Sequence, residues 1–182
     1  MSNVKKAAVT AVCIALCCVL PVAFHAVGLG GAFSPMHIPV LLCGLLCGWG
    51  YGLFCGLAGP VLSSLLTSMP TALQLIWMAP ELMAYGLAAG LLFEKLPVPK
   101  TAARLYCALV PAMLLGRVMG GLARACYCLL TGQPYSLALW AGAYLTGSVP
   151  GMLLHLFLVP ALYLVLVRAG LIPRNTKESH HE

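Results

Sequence analysis

The chain has 182 residues, of which 62% are hydrophobic and 8% charged, with a formal net charge of +6. A soluble domain carries roughly a quarter of its residues as Asp, Glu, Lys or Arg, so this composition excludes a soluble protein. Residues 7–80 and 125–167 contain none of these four residue types. Because about 20 apolar residues suffice for one helix to cross a bilayer, we expect an all-α integral membrane protein of about six transmembrane helices.

The first predicted helix runs from about Ala7 to Val27 and follows the basic pair Lys5 and Lys6. A basic start followed by an apolar run also resembles a signal peptide. No small-residue cleavage site leads into a polar mature chain, so we expect this segment to be retained as a membrane helix.

One face of this helix carries Ala7, Ala11 and Ala15 at a spacing of four residues. Small residues at this spacing let two helix backbones approach closely in lipid. The spacing alone leaves open whether the partner helix belongs to this chain or to another protein. The same spacing recurs in four glycines, for which we favour packing within the chain: Gly44, Gly48, Gly52 and Gly56.

The second and third crossings must fit between Met36 and Ser68, so we expect both to be short or partly broken. We predict the turn between them at Trp49-Gly50-Tyr51, because aromatic residues around a glycine suit the membrane interface. The alternative break is Gly59-Pro60. His37 stands between two prolines at the start of the second crossing, where it either caps that helix or reaches into a pocket.

The remaining predicted helices run from about Ile76 to Phe93, from Thr101 to Leu130 and from Leu137 to Arg168. Eight of the ten Lys and Arg residues form three clusters, which are Lys5 with Lys6, then Lys95, Lys100 and Arg104 around Pro97 and Pro99, and then Arg168, Arg174 and Lys177. Because basic residues concentrate in cytoplasmic segments, both termini are expected to be cytoplasmic. We therefore predict one six-helix membrane domain over residues 1–172 and a polar cytoplasmic tail over residues 173–182.

Ionisable side chains within the predicted helices are few, and such groups are costly in a membrane and tend to mark function. Glu81 lies in the fourth helix, Arg117 and Arg124 in the fifth, and His155 in the sixth. Glu81 can pair with either arginine, in an ion pair that only holds the helices together. Since two arginines face one carboxylate, one guanidinium remains for a substrate with an acidic or strongly hydrogen-bonding group.

Aromatic residues accompany these ionisable groups at helical spacings, so three successive helices can together wall a polar pocket. The candidate substrate-binding residues are His37, Trp77, Glu81, Tyr85, Arg117, Arg124, Trp140, Tyr144 and His155. Most of the nine cysteines lie in apolar runs and form no C-x-x-C pair, which favours packing over disulfide or metal chemistry. We expect no metal and no cofactor. No P-loop motif is present, so uphill transport needs a partner or an ion gradient.

The chain resembles, over nearly its whole length, the substrate-binding S component of an energy-coupling-factor (ECF) vitamin transporter. The resemblance rests on the alanine spacing and on an ordered set of fragments. They are Pro35-Met-His-Ile-Pro-Val-Leu-Leu42 with the glycines that follow, Gly59-Pro60, Leu65-Leu-Thr-Ser-Met-Pro70, Glu81-Leu-Met-Ala-Tyr-Gly86 and Gly116-Arg117-Val118.

The resemblance implies a cup of six helices that binds a vitamin or vitamin precursor with high affinity on the outer side of a bacterial cell membrane. It implies docking on a membrane coupling protein with two ATPase subunits, and it assigns Ala7, Ala11 and Ala15 to that docking face. Nickel and cobalt members begin Met-His, whereas this chain begins Met1-Ser2-Asn3, which favours an organic substrate over a metal ion.

Two other function classes are kept as alternatives. One is an intramembrane enzyme that uses Glu81, His155 or His37 as acid/base groups, although scattered histidines and a single helical carboxylate argue against a metal hydrolase. The other is a stand-alone secondary transporter, for which no clear inverted halves are visible.

Overall fold

The computed structural model describes residues 1–26, 28, 35–142 and 149–170. Within these residues the chain is helical and contains no strand. The helices are α1 (Asn3–Ala26), α2 (His37–Cys47), α3 (Trp49–Thr67), α4 (Ala72–Lys95), α5 (Thr101–Thr131), α6 (Leu137–Ala141) and α7 (Val149–Arg168). Five of them are long and apolar enough to cross a membrane, and α2 is a shorter apolar helix. The predicted all-α membrane fold with about six spans is confirmed.

The turn between the second and third crossings lies at Gly48, one residue before the predicted position. Gly48 has φ 99° and separates α2 from α3, a conformation that glycine adopts without steric cost. The alternative break at Gly59-Pro60 is wrong, because Pro60 lies inside α3. With 11 residues, α2 is the short helix that the crowded segment required.

The start of α4 and the course of the last predicted helix differ from the sequence-based ranges. α4 begins at Ala72 rather than near Ile76, because Thr71 and Gln74 form a capping box that stabilises an earlier start. The predicted helix from Leu137 to Arg168 is represented at its ends by α6 and α7, and residues 143–148 between them lie outside the described residues. The predicted polar tail also lies outside them.

Glycines bring α2, α3 and α4 into backbone contact. Gly44 and Gly52 approach each other, which agrees with the favoured packing within the chain, and a methyl group on either would overlap the backbone carbonyl of Gly86 on α4. Gly56 meets α4 in the same way at the carbonyl of Leu82. Such close approach is available only where side chains are absent, so these glycines fix how three helices pack.

The ends of several helices that carry basic residues meet at one end of the bundle. The Lys6 ammonium lies 5.7 Å from the ring centroid of Tyr51, and the Arg104 guanidinium lies 4.6 Å from that of Phe93. Phe93 in turn packs against Tyr163 on α7 at 5.3 Å. These contacts gather the start of α1, the α2–α3 turn, the α4–α5 connection and the second half of α7. We call this end of the bundle the basic end. Its position agrees with the predicted orientation, in which the basic clusters lie on one side of the membrane.

Candidate functional site

A cavity of about 480 Å³ lies at the other end of α4 and α5. This volume falls within the range of about 300–1,000 Å³ typical of small-molecule sites. α4 contributes Trp77, α5 contributes Arg124 and Tyr127, and the chain after α5 contributes Tyr135 and Leu139. The first turns of α4, the last turns of α5 and α6 therefore form three walls of one pocket.

Arg124 is the cationic group of this cavity, and aromatic rings surround it. Its guanidinium carbon lies 5.3 Å from the ring centroid of Trp77 and 6.0 Å from that of Tyr135. Trp77 also contacts Tyr127, with ring centroids 5.8 Å apart. Burial raises the pKa of the Tyr135 phenol although Arg124 opposes the shift, so this phenol remains a hydrogen-bond donor at neutral pH. The cation is thus held by ring faces.

A second polar group, which we call the buried polar cluster, consists of His37, Glu81, Tyr85, Arg117 and His155. All five side chains are buried. Arg117 Nη1 donates to Glu81 Oε1 at 2.9 Å, and His37 Nε2 lies 3.4 Å from the same oxygen. The His37 ring stacks on that of His155 with centroids 5.4 Å apart, and Tyr85 meets His37 edge-on at 4.9 Å. The cluster joins α2, α4, α5 and α7.

Two glycines on α5 make room for the α4 side chains of this cluster. A methyl group on Gly116 would lie 2.9 Å from Cε2 of Tyr85, and one on Gly120 would lie 2.7 Å from Oε2 of Glu81. The absence of side chains lets the carboxylate approach Arg117 closely. A buried charge is tolerated only when it is paired in this way.

The structure resolves two alternatives that the sequence left open. Glu81 pairs with Arg117, whereas Arg124 lies over Trp77 in the cavity. His37 is the first residue of α2 and its side chain reaches Glu81, while Met36 occupies the capping position without a side-chain hydrogen bond. His37 therefore belongs to the buried polar cluster.

The predicted site residues fall into separate places. Trp77 and Arg124 line the cavity. The buried polar cluster holds His37, Glu81, Tyr85, Arg117 and His155. Trp140 packs on Gly121 beside the cavity. Tyr144 lies outside the described residues.

Tyr127, Tyr135 and Gly121 are parts of the site that sequence reasoning did not select. Tyr127 follows Arg124 by three residues and therefore shares its face of α5, a signal that was present in the spacing. Tyr135 lies in the connection after α5, where helical spacing gives no information. Its hydroxyl donates to the Gly121 carbonyl at 3.4 Å, which brings the connection back over α5.

The family model described as "ECF transporter, substrate-specific component" matches residues 5–167. The chain belongs to this family. No curated protein and no solved structure matches it. S components are transport subunits, not enzymes; they bind a small-molecule substrate and work with ECF coupling and ATPase modules in the membrane. The resemblance predicted from the sequence fragments is confirmed. The protein is a multi-pass membrane protein and the substrate-binding subunit of a transporter.

Family membership also decides against the enzyme alternative. The intramembrane-enzyme alternative is wrong for an S component. The geometry of the buried polar cluster agrees with this, because Arg117 holds the Glu81 carboxylate that such an enzyme would use as its base.

Proposed function

We propose that this S component is the high-affinity binding subunit of an ECF-type importer for a vitamin or vitamin precursor with an acidic group. In this proposal it resides in a bacterial plasma membrane with both termini cytoplasmic, and a coupling protein with two ATPase subunits energises it. The substrate occupies the cavity with its acidic group against Arg124.

The observation that carries the proposal is the position of Arg124. Two carboxylate side chains belong to the described residues: Glu81 is engaged by Arg117, and Glu94 lies at the basic end beside Gly48. Within that part of the chain, Arg124 makes no ion pair, yet it is half-buried in the cavity. A partly desolvated guanidinium favours an anionic partner, and a bound substrate can supply one.

The chemistry of the cavity supports an acidic organic compound over a metal ion. Rings lie near the guanidinium of Arg124, and its in-plane N–H groups suit a carboxylate or phosphate, which they can bind through two parallel hydrogen bonds. The aromatic walls supply apolar contact for the rest of an organic molecule. A cationic substrate would be repelled by the same arginine.

We assign direct substrate contact to Trp77 and Arg124, and a supporting role to the buried polar cluster. On α4, Glu81 lies one helical turn closer to the basic end than Trp77. On α5, Arg117 lies two turns closer to the basic end than Arg124. The Glu81–Arg117 pair thereby fixes the alignment of α4 and α5 that keeps Trp77 beside Arg124. Trp140 and Tyr144 remain candidates on the sixth crossing.

The test is mass spectrometry of small molecules released by denaturing the protein, after gentle purification in detergent from cells grown in rich medium. Wild-type protein is expected to release one vitamin-like acid in near-equimolar amount. Arg124→Ala should lose it, and Arg124→Lys should retain part, because an ammonium keeps the charge without the planar fork. Arg168→Ala removes an arginine at the basic end and serves as the matched control.

Three results would contradict the proposal. The first is wild-type protein that releases nothing and shows no tryptophan-fluorescence response to a panel of vitamins. The second is a released compound without an acidic group. The third is undiminished retention in Arg124→Ala.

The alanine spacing on α1 supports the assignment of a docking face for the coupling protein. Ala7, Ala11 and Ala15 are exposed, whereas Cys13 and Cys17 on another face of the same helix pack inside. The small side chains are therefore not used for packing among the described helices, which leaves them for a partner helix.

Ala11→Trp tests the docking face, with Val12→Trp as a control at a neighbouring exposed position. After co-expression, Ala11→Trp should fail to co-purify the coupling protein and ATPase subunits, because the indole prevents close backbone approach. The control should co-purify them normally. Equal recovery with both variants would place the docking face elsewhere.

A further inference from the structure

Two side chains from the segment after α5 converge on Gly121. The Tyr135 hydroxyl donates to its carbonyl at 3.4 Å. The Trp140 indole lies directly over its α-carbon, so that a methyl group there would overlap Nε1 and Cδ1 and lie 3.1 Å from Cε2. Gly121 is buried. The hydrogen bond from Tyr135 uses its backbone carbonyl, and the contact with Trp140 is possible only because Gly121 has no side chain.

α6 is a short helix, and none of its five residues is fully buried. It has five residues, too short to be stable alone, and its leucines Leu137 and Leu139 are 79% and 58% exposed. Trp140 carries the largest apolar side chain of this helix, and that side chain packs on Gly121 of α5. Leu139 and Gly142 nevertheless form part of the cavity lining. The position of this wall therefore depends on the contact at Gly121.

We propose that Gly121 is a positioning residue that seats Trp140 and thereby holds α6 as the closing wall of the cavity. When the indole leaves Gly121, that wall moves outward and the cavity opens. Trp140 then acts on the substrate site through the position of α6. The relevance of this closure to transport rests on the proposed function, because it assumes that the substrate occupies this cavity.

A native cysteine reports cavity opening without any substrate. Cys128 lines the cavity and is 6% exposed, whereas Cys126 on the same helix is exposed. The probe is a small, negatively charged methanethiosulfonate reagent, which Arg124 does not repel, applied to the full chain in detergent. The labelling rate at each cysteine is read by peptide mass spectrometry, and Cys126 provides the internal reference.

Gly121→Ala should raise the labelling rate of Cys128 about tenfold relative to Cys126, since the added methyl group displaces the indole from a packed contact. Trp140→Ala should produce a similar rise by removing the indole. Gly50→Ala is the matched control, because a methyl group there meets nothing within 4 Å, and it should leave the rate unchanged.

The double variant Gly121→Ala/Trp140→Ala decides whether the two residues act through their mutual contact. Its Cys128 labelling rate should equal that of Trp140→Ala alone, because the methyl group then has no indole to displace. Additive rates, or a Cys128 rate that neither single variant changes, would overturn the proposal. If Gly121→Ala does not fold, Trp140→Ala alone decides, and an unchanged rate overturns it. Retention of the released compound in Arg124→Ala would refute the proposed function and leave the labelling result intact.

Discussion

Arg117 and Arg124 lie two turns apart on α5, yet the structure gives them different surroundings. Arg117 is buried and bound to Glu81, with His37 against the same carboxylate oxygen. Arg124 is half-buried, flanked by rings, and faces a cavity. One arginine completes an ion pair inside the bundle, and the other has no acidic partner within the described residues. The comparison teaches that a charge in a membrane helix points to a ligand only after its internal partners are assigned.

The largest effect on stability is expected for Arg117→Ala. Removing one partner leaves the Glu81 carboxylate buried without its cation, a change that costs about 3–5 kcal/mol in buried pairs. Thermal unfolding in detergent, followed by tryptophan fluorescence, measures the loss. Glu81→Gln/Arg117→Gln removes both charges at once and should recover much of it. A double variant no more stable than Arg117→Ala would show that the pair is not the stabilising element.

A smaller loss is expected for Gly120→Ala. The new methyl group lies 2.7 Å from Glu81 Oε2, so the carboxylate must shift away from Arg117. Overpacking of this kind costs about 1–3 kcal/mol, although alanine gains about 1 kcal/mol of helix propensity over glycine. Gly50→Ala, which adds the same methyl group in open space on α3, should be neutral or stabilising. Equal unfolding temperatures for the two variants would show that Glu81 has room to move.

The fold was predictable because it follows from composition and from where charges are absent. The pairing of Glu81 was not, since two arginines seven residues apart share a face of α5 and spacing cannot rank them. Which arginine pairs with Glu81 depends on how closely α4 and α5 pack. Gly116 and Gly120 determine this distance, because they leave room for the side chains of Tyr85 and Glu81.

The cavity was predictable only in part, for a related reason. Trp77 and Arg124 could be selected because helical spacing and membrane depth mark them. The convergence of Tyr135 and Trp140 on Gly121 depends on the path of an irregular connection, for which no periodic signal exists.

A modest effect on binding is expected for Tyr135→Phe. The variant keeps the ring near Arg124 and loses one hydrogen bond to the Gly121 carbonyl, a type of bond worth about 0.5–1.5 kcal/mol. Retention of the released compound should fall by a few-fold at most, since Trp140 still seats α6. A loss as complete as that in Arg124→Ala would mean that the phenol contacts the substrate directly.

The smallest effect on stability is expected for Arg124→Ala, and it is the sharpest test of the comparison. The substitution removes a half-buried cation that has no carboxylate partner in the described part of the chain, so no opposite charge is left uncompensated. Its unfolding temperature should stay close to that of wild type once both proteins are freed of small molecules, while substrate retention is lost. A bound substrate itself stabilises the folded state, so the comparison requires substrate-free protein. If Arg124→Ala were as unstable as Arg117→Ala under those conditions, both arginines would be structural. The position of Arg124 would then no longer support an acidic substrate in the cavity.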